Sequence, residues 1–131
     1  MIVIDASALI EMLLVTGVGT RVRARLFRED DTLHAPHLLD LEIVQVLRRA
    51  CLIGELQPHR AAEALADLDG LRIVRHPHEP YVPRIWQLRH SLTAYDAAYV
   101  ALAEALDAPL LTRDARMASA HGYRARIELA V

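Results

Sequence analysis

Short apolar runs alternate with helical segments along this chain, and that alternation restricts its possible folds more than any other feature. The first run, Ile2–Ile4, is β-branched throughout and is typical of a buried parallel strand. Strands that alternate with helices favour an α/β fold in which helices cover a mainly parallel sheet. The predicted strands are Ile2–Ile4, Thr32–Ala35, Leu71–Val74, Pro109–Thr112 and Ile127–Leu129.

The spacing of apolar residues predicts the helices between these strands. The longest is amphipathic, with a predicted buried stripe of Leu38, Leu41, Val44, Leu47 and Cys51. The predicted helices are Ala6–Leu14, Thr20–Arg28, His37–Leu52, one that opens at Pro58, Tyr81–Leu92, Ala94–Leu106, and a short one from Asp114 to Gly122.

Composition excludes several classes of function. A chain of 131 residues is long enough for one ordinary domain, so we predict a single domain over residues 1–131. The net charge is −2, which argues against nonspecific binding of nucleic acid through a positive surface. All 15 basic residues are arginines, and the absence of lysine excludes Schiff-base catalysis and a Walker-type phosphate loop.

Other features of the sequence indicate the cellular compartment of the protein. The one cysteine, Cys51, cannot form an internal disulfide and is predicted to be buried and inert. The N-terminal run lacks the basic segment of a signal peptide and is interrupted by Asp5 and Glu11. No uncharged stretch approaches the roughly 18 residues needed to span a bilayer. We therefore expect a cytoplasmic protein without membrane contact.

Four acidic residues differ in context from the rest. Asp5 ends the first predicted strand and Asp114 follows the fourth, so both are expected at the carboxyl edge of the sheet, where parallel sheets bind ligands. Asp96 and Glu42 each lie near the start of a predicted helix and have apolar neighbours. The other acids, Glu104 among them, are predicted to face water.

Buried carboxylates need compensation, and two kinds are open at this point. Each could pair with a structural arginine, or several could converge on a hard cation such as Mg²⁺ or Mn²⁺. Asp96 could also complete the N-terminal cap that Thr93 begins. Ser7 and Thr112 could lie close to the acids or serve local structure. His76 and His78 flank a proline without a third ligand nearby, and we predict a loop there.

Four segments resemble PIN-domain ribonucleases, and in particular the VapC toxins of bacterial toxin–antitoxin pairs. The most specific is LTAYDAAYVALA, and the similarity covers nearly the whole chain. The segments are IVIDASAL at Ile2–Leu9, PHLLDLE at Pro36–Glu42, LTAYDAAYVALA at Leu92–Ala103, and PLLTRD at Pro109–Asp114.

The resemblance implies a three-layer α/β/α sandwich around a five-stranded, mainly parallel sheet. It also implies an acidic cleft for one or two Mg²⁺ ions, for which Mn²⁺ can substitute. The family's acids fall on Asp5, Glu42, Asp96 and Asp114, the hydroxyl after the first aspartate falls on Ser7, and the strand threonine falls on Thr112. Asp40, one helical face away from Glu42, is interpreted as a surface acid.

The implied activity is that of a Mg²⁺-dependent endoribonuclease that cleaves RNA with a metal-activated water. Because an acidic cleft repels RNA, phosphate contacts are expected from nearby arginines, although each of these could instead form a surface ion pair. Two alternatives remain: a catalytically silent PIN-like module for RNA binding or scaffolding, and a structure-specific DNA nuclease. The candidate phosphate-binding residues are Arg84, Arg89, Arg113 and Arg116.

The resemblance further implies partners. A VapB-type antitoxin is expected, and the toxin is expected to form a homodimer or a toxin–antitoxin hetero-oligomer. Apolar positions on the first two predicted helices are candidates for the antitoxin groove, with ordinary core packing as the alternative. These positions are Leu9, Leu13, Leu14 and Val22.

Overall fold

A sheet of five parallel strands forms the centre of the protein, which a computed structural model describes over residues 1–131. The strands stand in the order β3-β2-β1-β4-β5, so β1 is central. The predicted α/β class and parallel sheet are confirmed. The strands are β1 (Ile2–Ile4), β2 (Leu33–Pro36), β3 (Ile73–His76), β4 (Leu110–Thr112) and β5 (Ile127–Leu129).

Helices pack in two groups. Helix α1 contacts α2, α3 and α4, while α6 contacts α5 and crosses β1, β2 and β4. No helix is both long enough and apolar enough to cross a membrane. The helices are α1 (Ala6–Leu13), α2 (Gly17–Leu26), α3 (Leu38–Leu52), α4 (Pro58–Gly70), α5 (Val82–Gln87), α6 (Ala94–Leu106) and α7 (Ala115–Ser119), with a 3₁₀ turn at Glu79–Tyr81 before α5.

Some predicted boundaries are wrong for identifiable reasons. Helix α2 begins three residues earlier than predicted because the Thr16 hydroxyl caps it, accepting a hydrogen bond from the Gly19 amide at 2.9 Å. The segment predicted as one helix from Tyr81 to Leu92 divides into the 3₁₀ turn, α5 and a turn that leads to α6. Its apolar residues Leu88 and Leu92 are nonetheless buried.

The predicted buried stripe of α3 is also wrong in part. Leu41 is 74% exposed and Val44 is 45% exposed, whereas Leu39, Ile43 and Leu47 are buried. Both sets of positions are apolar and both have helical spacing, so periodicity alone could not distinguish the face that packs on the sheet.

The first two helices contribute to the core rather than to an open groove. Leu9, Leu13 and Val22 are 0–2% exposed, so three of the four groove candidates are core residues, and Leu14 is partly buried. Cys51 is only partly buried, against the prediction of full burial.

Helices α1 and α2 approach closely at Gly19. A Cβ atom at this position would overlap the Glu11 carbonyl, which belongs to the backbone of α1 and cannot move aside. At Gly17, two residues earlier on the same helix, a Cβ would meet nothing within 4 Å.

We therefore expect Gly19→Ala to destabilise the protein by about 1–3 kcal/mol, because it overpacks the contact between the two helices. Gly17→Ala is the matched control and should be neutral or stabilising by up to about 1 kcal/mol. Urea denaturation of the two variants measures this difference. Equal free energies of unfolding for the two variants would show that α1 and α2 can move apart at Gly19 with little loss of stability.

Candidate functional site

The carboxylate of Asp5 lies at the carboxyl end of the central strand and is only 5% exposed. Its backbone amide donates to the Leu111 carbonyl at 2.9 Å, which continues the pairing of β1 with β4. Its Oδ2 atom accepts hydrogen bonds from the hydroxyls of Ser7 and Thr112, each at 2.6 Å. The compensation for this buried acid is therefore a pair of hydroxyls and not an arginine.

Both hydroxyls also accept a backbone hydrogen bond from the segment after β4. The Arg113 amide donates to Ser7 Oγ and the Asp114 amide donates to Thr112 Oγ1, both at 3.0 Å. These bonds position the chain just after β4, and with it Asp114, beside Asp5. Ser7 and Thr112 therefore lie beside the acids, and their supporting role in the chemistry stays a prediction.

Glu42 lies on the second turn of α3 and is held by a residue that sequence reasoning missed. The Tyr99 hydroxyl donates to Glu42 Oε1 at 2.6 Å, and the tyrosine itself is fully buried on α6. Tyr99 follows Asp96 by three residues and therefore shares its helix face. A signal was available, because a buried tyrosine hydroxyl almost always has a hydrogen-bond partner.

Asp96 lies in the first turn of α6 and is half-buried. Thr93 caps this helix as predicted, since its hydroxyl accepts a hydrogen bond from the Asp96 amide at 3.2 Å. That bond uses the backbone amide of Asp96, and a hydrogen bond from the Thr93 side chain also acts to lower the pKa of the Asp96 carboxyl. The carboxylate is close enough to Asp5 and Asp114 to feel their charges, which act in the opposite direction.

The acids influence one another electrostatically. Burial raises the pKa of Asp5 above the usual aspartate range, the hydroxyls of Ser7 and Thr112 partly oppose that rise, and Asp114 adds to it. Burial likewise raises the pKa of Glu42, with Asp5 and Asp96 adding to the effect and the Tyr99 hydrogen bond opposing it.

The pKa of Asp96 is raised first by burial and then by the charges of Asp5 and Asp114. The structure therefore brings the four predicted acids to one edge of the sheet.

These donors fit a hard divalent cation by their chemistry. All are carboxylate oxygens, and the side-chain hydrogen bonds to Asp5 and Glu42 engage only one of the two oxygens of each carboxylate. No group of three or more histidine, cysteine or acidic side chains is arranged in this structure so that it could hold a metal ion. Mg²⁺ usually keeps several of its waters when carboxylates bind it, so the fit of these residues rests on their donor chemistry and not on a ligand geometry.

Two pairs of histidines contact one another and none of the four acids. His34 Nδ1 and His76 Nε2 are hydrogen-bonded at 2.9 Å between β2 and β3, so His76 belongs to a strand and not to the predicted loop. The ring of His78 meets that of His37 edge-on, with 6.2 Å between the centroids. These pairs do not form a metal site.

The candidate arginines separate into two places. Arg116 approaches Asp114 at 3.4 Å with its side chain 94% exposed, and Arg113 lies 3.8 Å from Glu11. Arg84 instead pairs with Glu104 near the far end of α6, and Arg89 stacks on Trp86.

Two further acids are accounted for by ion pairs. Asp40, interpreted as a surface acid, accepts two hydrogen bonds from Arg75 at 2.6 and 2.8 Å. Glu104 was expected to face water, but its side chain is only 4% exposed beneath arginines. The prediction for Glu104 is wrong, because its position on the flank of α6 brings arginines from two other segments to it.

Open space adjoins the acids. A hollow of about 310 Å³ opens beside Glu42, between α3 and Tyr95 of α6. A larger cleft of about 700 Å³ lies at the opposite edge of the sheet, at the amino ends of β2 and β3, where none of the four acids is found. The smaller hollow is therefore the space relevant to chemistry at the acids.

Comparison with known proteins agrees with this architecture. The sequence profile of the PIN domain matches residues 2–122. The chain is 46% identical over 128 residues to Ribonuclease VapC1 of Mycobacterium tuberculosis, which covers 97% of this chain and 96% of the relative. It is 41% identical over 129 residues to Ribonuclease VapC12 of the same species, covering 98% of each chain.

A toxin–antitoxin complex from Klebsiella pneumoniae contains a chain of the same fold, with a TM-score of 0.62, 18% sequence identity and 91% of each chain covered. The parallel sheet, the acids at its carboxyl edge and the extent of these matches lead to one assignment. The chain belongs to the PIN-domain family, and within it to the VapC group.

Proposed function

We propose that this protein is a Mg²⁺-dependent endoribonuclease and the toxin of a VapBC-type pair. The observation that carries the proposal is the convergence of Asp5, Glu42, Asp96 and Asp114 at the carboxyl edge of a parallel sheet, where each of the first three has a pKa raised by burial and by neighbouring acids. The curated relatives VapC1 and VapC12 are both named ribonucleases, which supports RNA as the substrate.

The four acids would hold the cation, partly through water, and Mn²⁺ could replace Mg²⁺. When bound, the ion would supply Lewis-acid chemistry, activating water and neutralising charge on the phosphate. Ser7 and Thr112 keep the Asp5 carboxylate in one orientation, and Tyr99 does the same for Glu42. This arrangement needs no lysine, which agrees with the composition.

Phosphate contacts would come from the exposed arginines. Arg116 is the best placed, because it lies beside Asp114 and most of its side chain is in solvent. An arginine fork suits phosphate oxygens, and its pairing with Asp114 is weak at this exposure.

A VapB-type antitoxin is the expected partner, and a homodimer or a hetero-oligomer is the expected assembly. The shared fold with a chain of the Klebsiella toxin–antitoxin complex supports this proposal. Growth arrest on expression that is rescued by the co-expressed antitoxin would test it.

Cleavage assays on single-stranded RNA, structured RNA and flap DNA test the activity. We expect RNA cleavage with Mg²⁺ and none with EDTA. The cleavage rate should fall about 100-fold or more in the variants Asp5→Ala, Asp96→Asn and Glu42→Gln. Asp40→Asn is the matched control on α3 and should remain active, because its partner is Arg75.

Undiminished cleavage by Asp96→Asn would contradict the assignment. A preference for flap DNA would favour the DNA nuclease alternative. Absence of cleavage, together with no Mn²⁺ binding that Asp96→Asn removes, would favour a silent module.

Removal of the hydroxyl that holds Glu42 should weaken metal binding. We expect Tyr99→Phe to lower Mn²⁺ affinity about tenfold in titration calorimetry, since groups that orient metal ligands typically have effects of that size. Tyr123→Phe is the control: its hydroxyl donates to the Met117 and Ala118 carbonyls, at 3.0 and 2.9 Å, and not to an acid. Equal affinities in the two variants would exclude a role for Tyr99 at the site.

The raised pKa values predict a specific pH dependence without metal. Because the folded protein binds protons at Asp5, Glu42 and Asp96 more tightly than the unfolded chain, stability should fall as pH rises from about 4 through the raised values. With EDTA near neutral pH, Asp96→Asn should therefore melt at a higher temperature than wild type.

This difference should shrink as the pH falls below about 4, where the carboxylates become protonated in the unfolded chain as well. Asp30→Asn, which removes a charge from an exposed loop, serves as the control. A melting temperature for Asp96→Asn at or below that of wild type near neutral pH would mean that repulsion among the acids is negligible.

A further inference from the structure

Trp86 is the only tryptophan of the chain, and it lies on the surface. Its side chain is 65% exposed on α5. Leu88, two residues later, is 2% exposed and packs into the core. Exposed aromatic rings of this size commonly mark a binding surface, because burying such a ring against a partner contributes strongly to the stability of the complex.

Arg89 covers part of the Trp86 ring. Its guanidinium carbon lies 4.5 Å from the ring centroid, and its Nη1 donates to the Trp86 carbonyl at 3.0 Å. Arg89 forms no ion pair with any carboxylate, so its charge is not neutralised within the protein. The two side chains form a flat, cationic surface that faces solvent.

The surroundings of this pair are also positive. Arg84 on α5 and Arg124 both pair with Glu104, at 3.0 and 3.4 Å, and that carboxylate is nearly buried. Two arginines on one carboxylate leave one positive charge, and the Arg124 side chain remains 83% exposed. Arg89, five residues after Arg84 in the chain, adds a further positive charge to this segment.

The segment that carries Trp86 packs against the helix that carries Asp96. Helix α5 packs on α6, and its Arg84 is tied to Glu104 of that helix. The chain then returns through Leu92 to the N-terminus of α6, where Asp96 lies. Glu104 and Asp96 are eight residues apart on one helix, which corresponds to about 12 Å.

We propose that Trp86 and Arg89 form a stacking platform for an unpaired base of the RNA that is cleaved at Asp96. The inference rests on the proposed function and extends it, because it assigns a substrate-binding surface outside the acidic edge. Unpaired RNA bases stack on aromatic rings and on guanidinium planes, and arginine also attracts the phosphates between them. An apolar protein partner would not explain the unpaired arginine charge over the ring.

Intrinsic fluorescence tests the platform directly, because Trp86 is the only tryptophan. In the Asp96→Asn background, a short single-stranded RNA of mixed sequence should quench the emission as it binds. Trp86→Ala should weaken binding of a labelled form of the same RNA about tenfold, and Trp86→Phe should restore most of it. Arg89→Ala should weaken binding and also reduce its dependence on salt.

Phe27 provides a matched control. It is 54% exposed, and Arg23 lies over its ring at 5.4 Å, but it lies at the amino end of β2, away from the acids. Phe27→Ala should leave RNA binding unchanged. The proposed platform is wrong if the Trp86→Ala variant binds RNA as tightly as the Phe27→Ala variant does. It is also wrong if RNA does not quench the emission of Trp86.

The outcomes also separate this inference from the proposed function. Metal-dependent RNA cleavage that is indifferent to Trp86→Ala overturns the platform and leaves the nuclease intact. Quenching and weakened binding in a protein that cleaves nothing support the platform and overturn the nuclease.

Discussion

A carboxylate buried at the end of the central strand is the constraint on which the rest of the structure depends. Burial of an isolated charge is costly, and the charge of Asp5 has no arginine partner. Two hydroxyls supply its hydrogen bonds, one from α1 and one from β4, and each is itself held by a backbone amide after β4. The orientation of Asp5 therefore requires that β1 and β4 pair in the observed register.

The same arrangement leaves Asp5 and Glu42 without a basic partner. Hydrogen bonds to hydroxyls orient Asp5 and Glu42 without cancelling their charge, whereas an arginine would have neutralised them. Asp40, on the same helix as Glu42, shows the contrast, since Arg75 engages both of its oxygens. Carboxylates that repel one another at one edge are a high-energy arrangement in the absence of metal, and sites that bind or react commonly contain such strain.

Much of this architecture could be predicted from the sequence. Each strand is a short apolar run, and a strand followed at once by an acid places that acid at a known edge, which is why Asp5 and Asp114 could be identified. Tyr99 could not be assigned as the partner of Glu42, because the distance between α3 and α6 depends on how both helices pack. The exposed Leu41 was predicted to be buried because α3 has two apolar faces. The position of Arg84 depended on Glu104, which is distant in sequence.

Strand β4 carries Thr112 and leads directly to Asp114, and it is supported on both sides. β1 pairs with one edge and β5 with the other, and the Ala130 amide donates to the Thr112 carbonyl at 2.7 Å. β5 lies beyond the residues that the family profile matches. Removal of β5 would therefore leave one edge of β4 unpaired, and would disturb the strand that leads to Asp114 without changing any of the four acids.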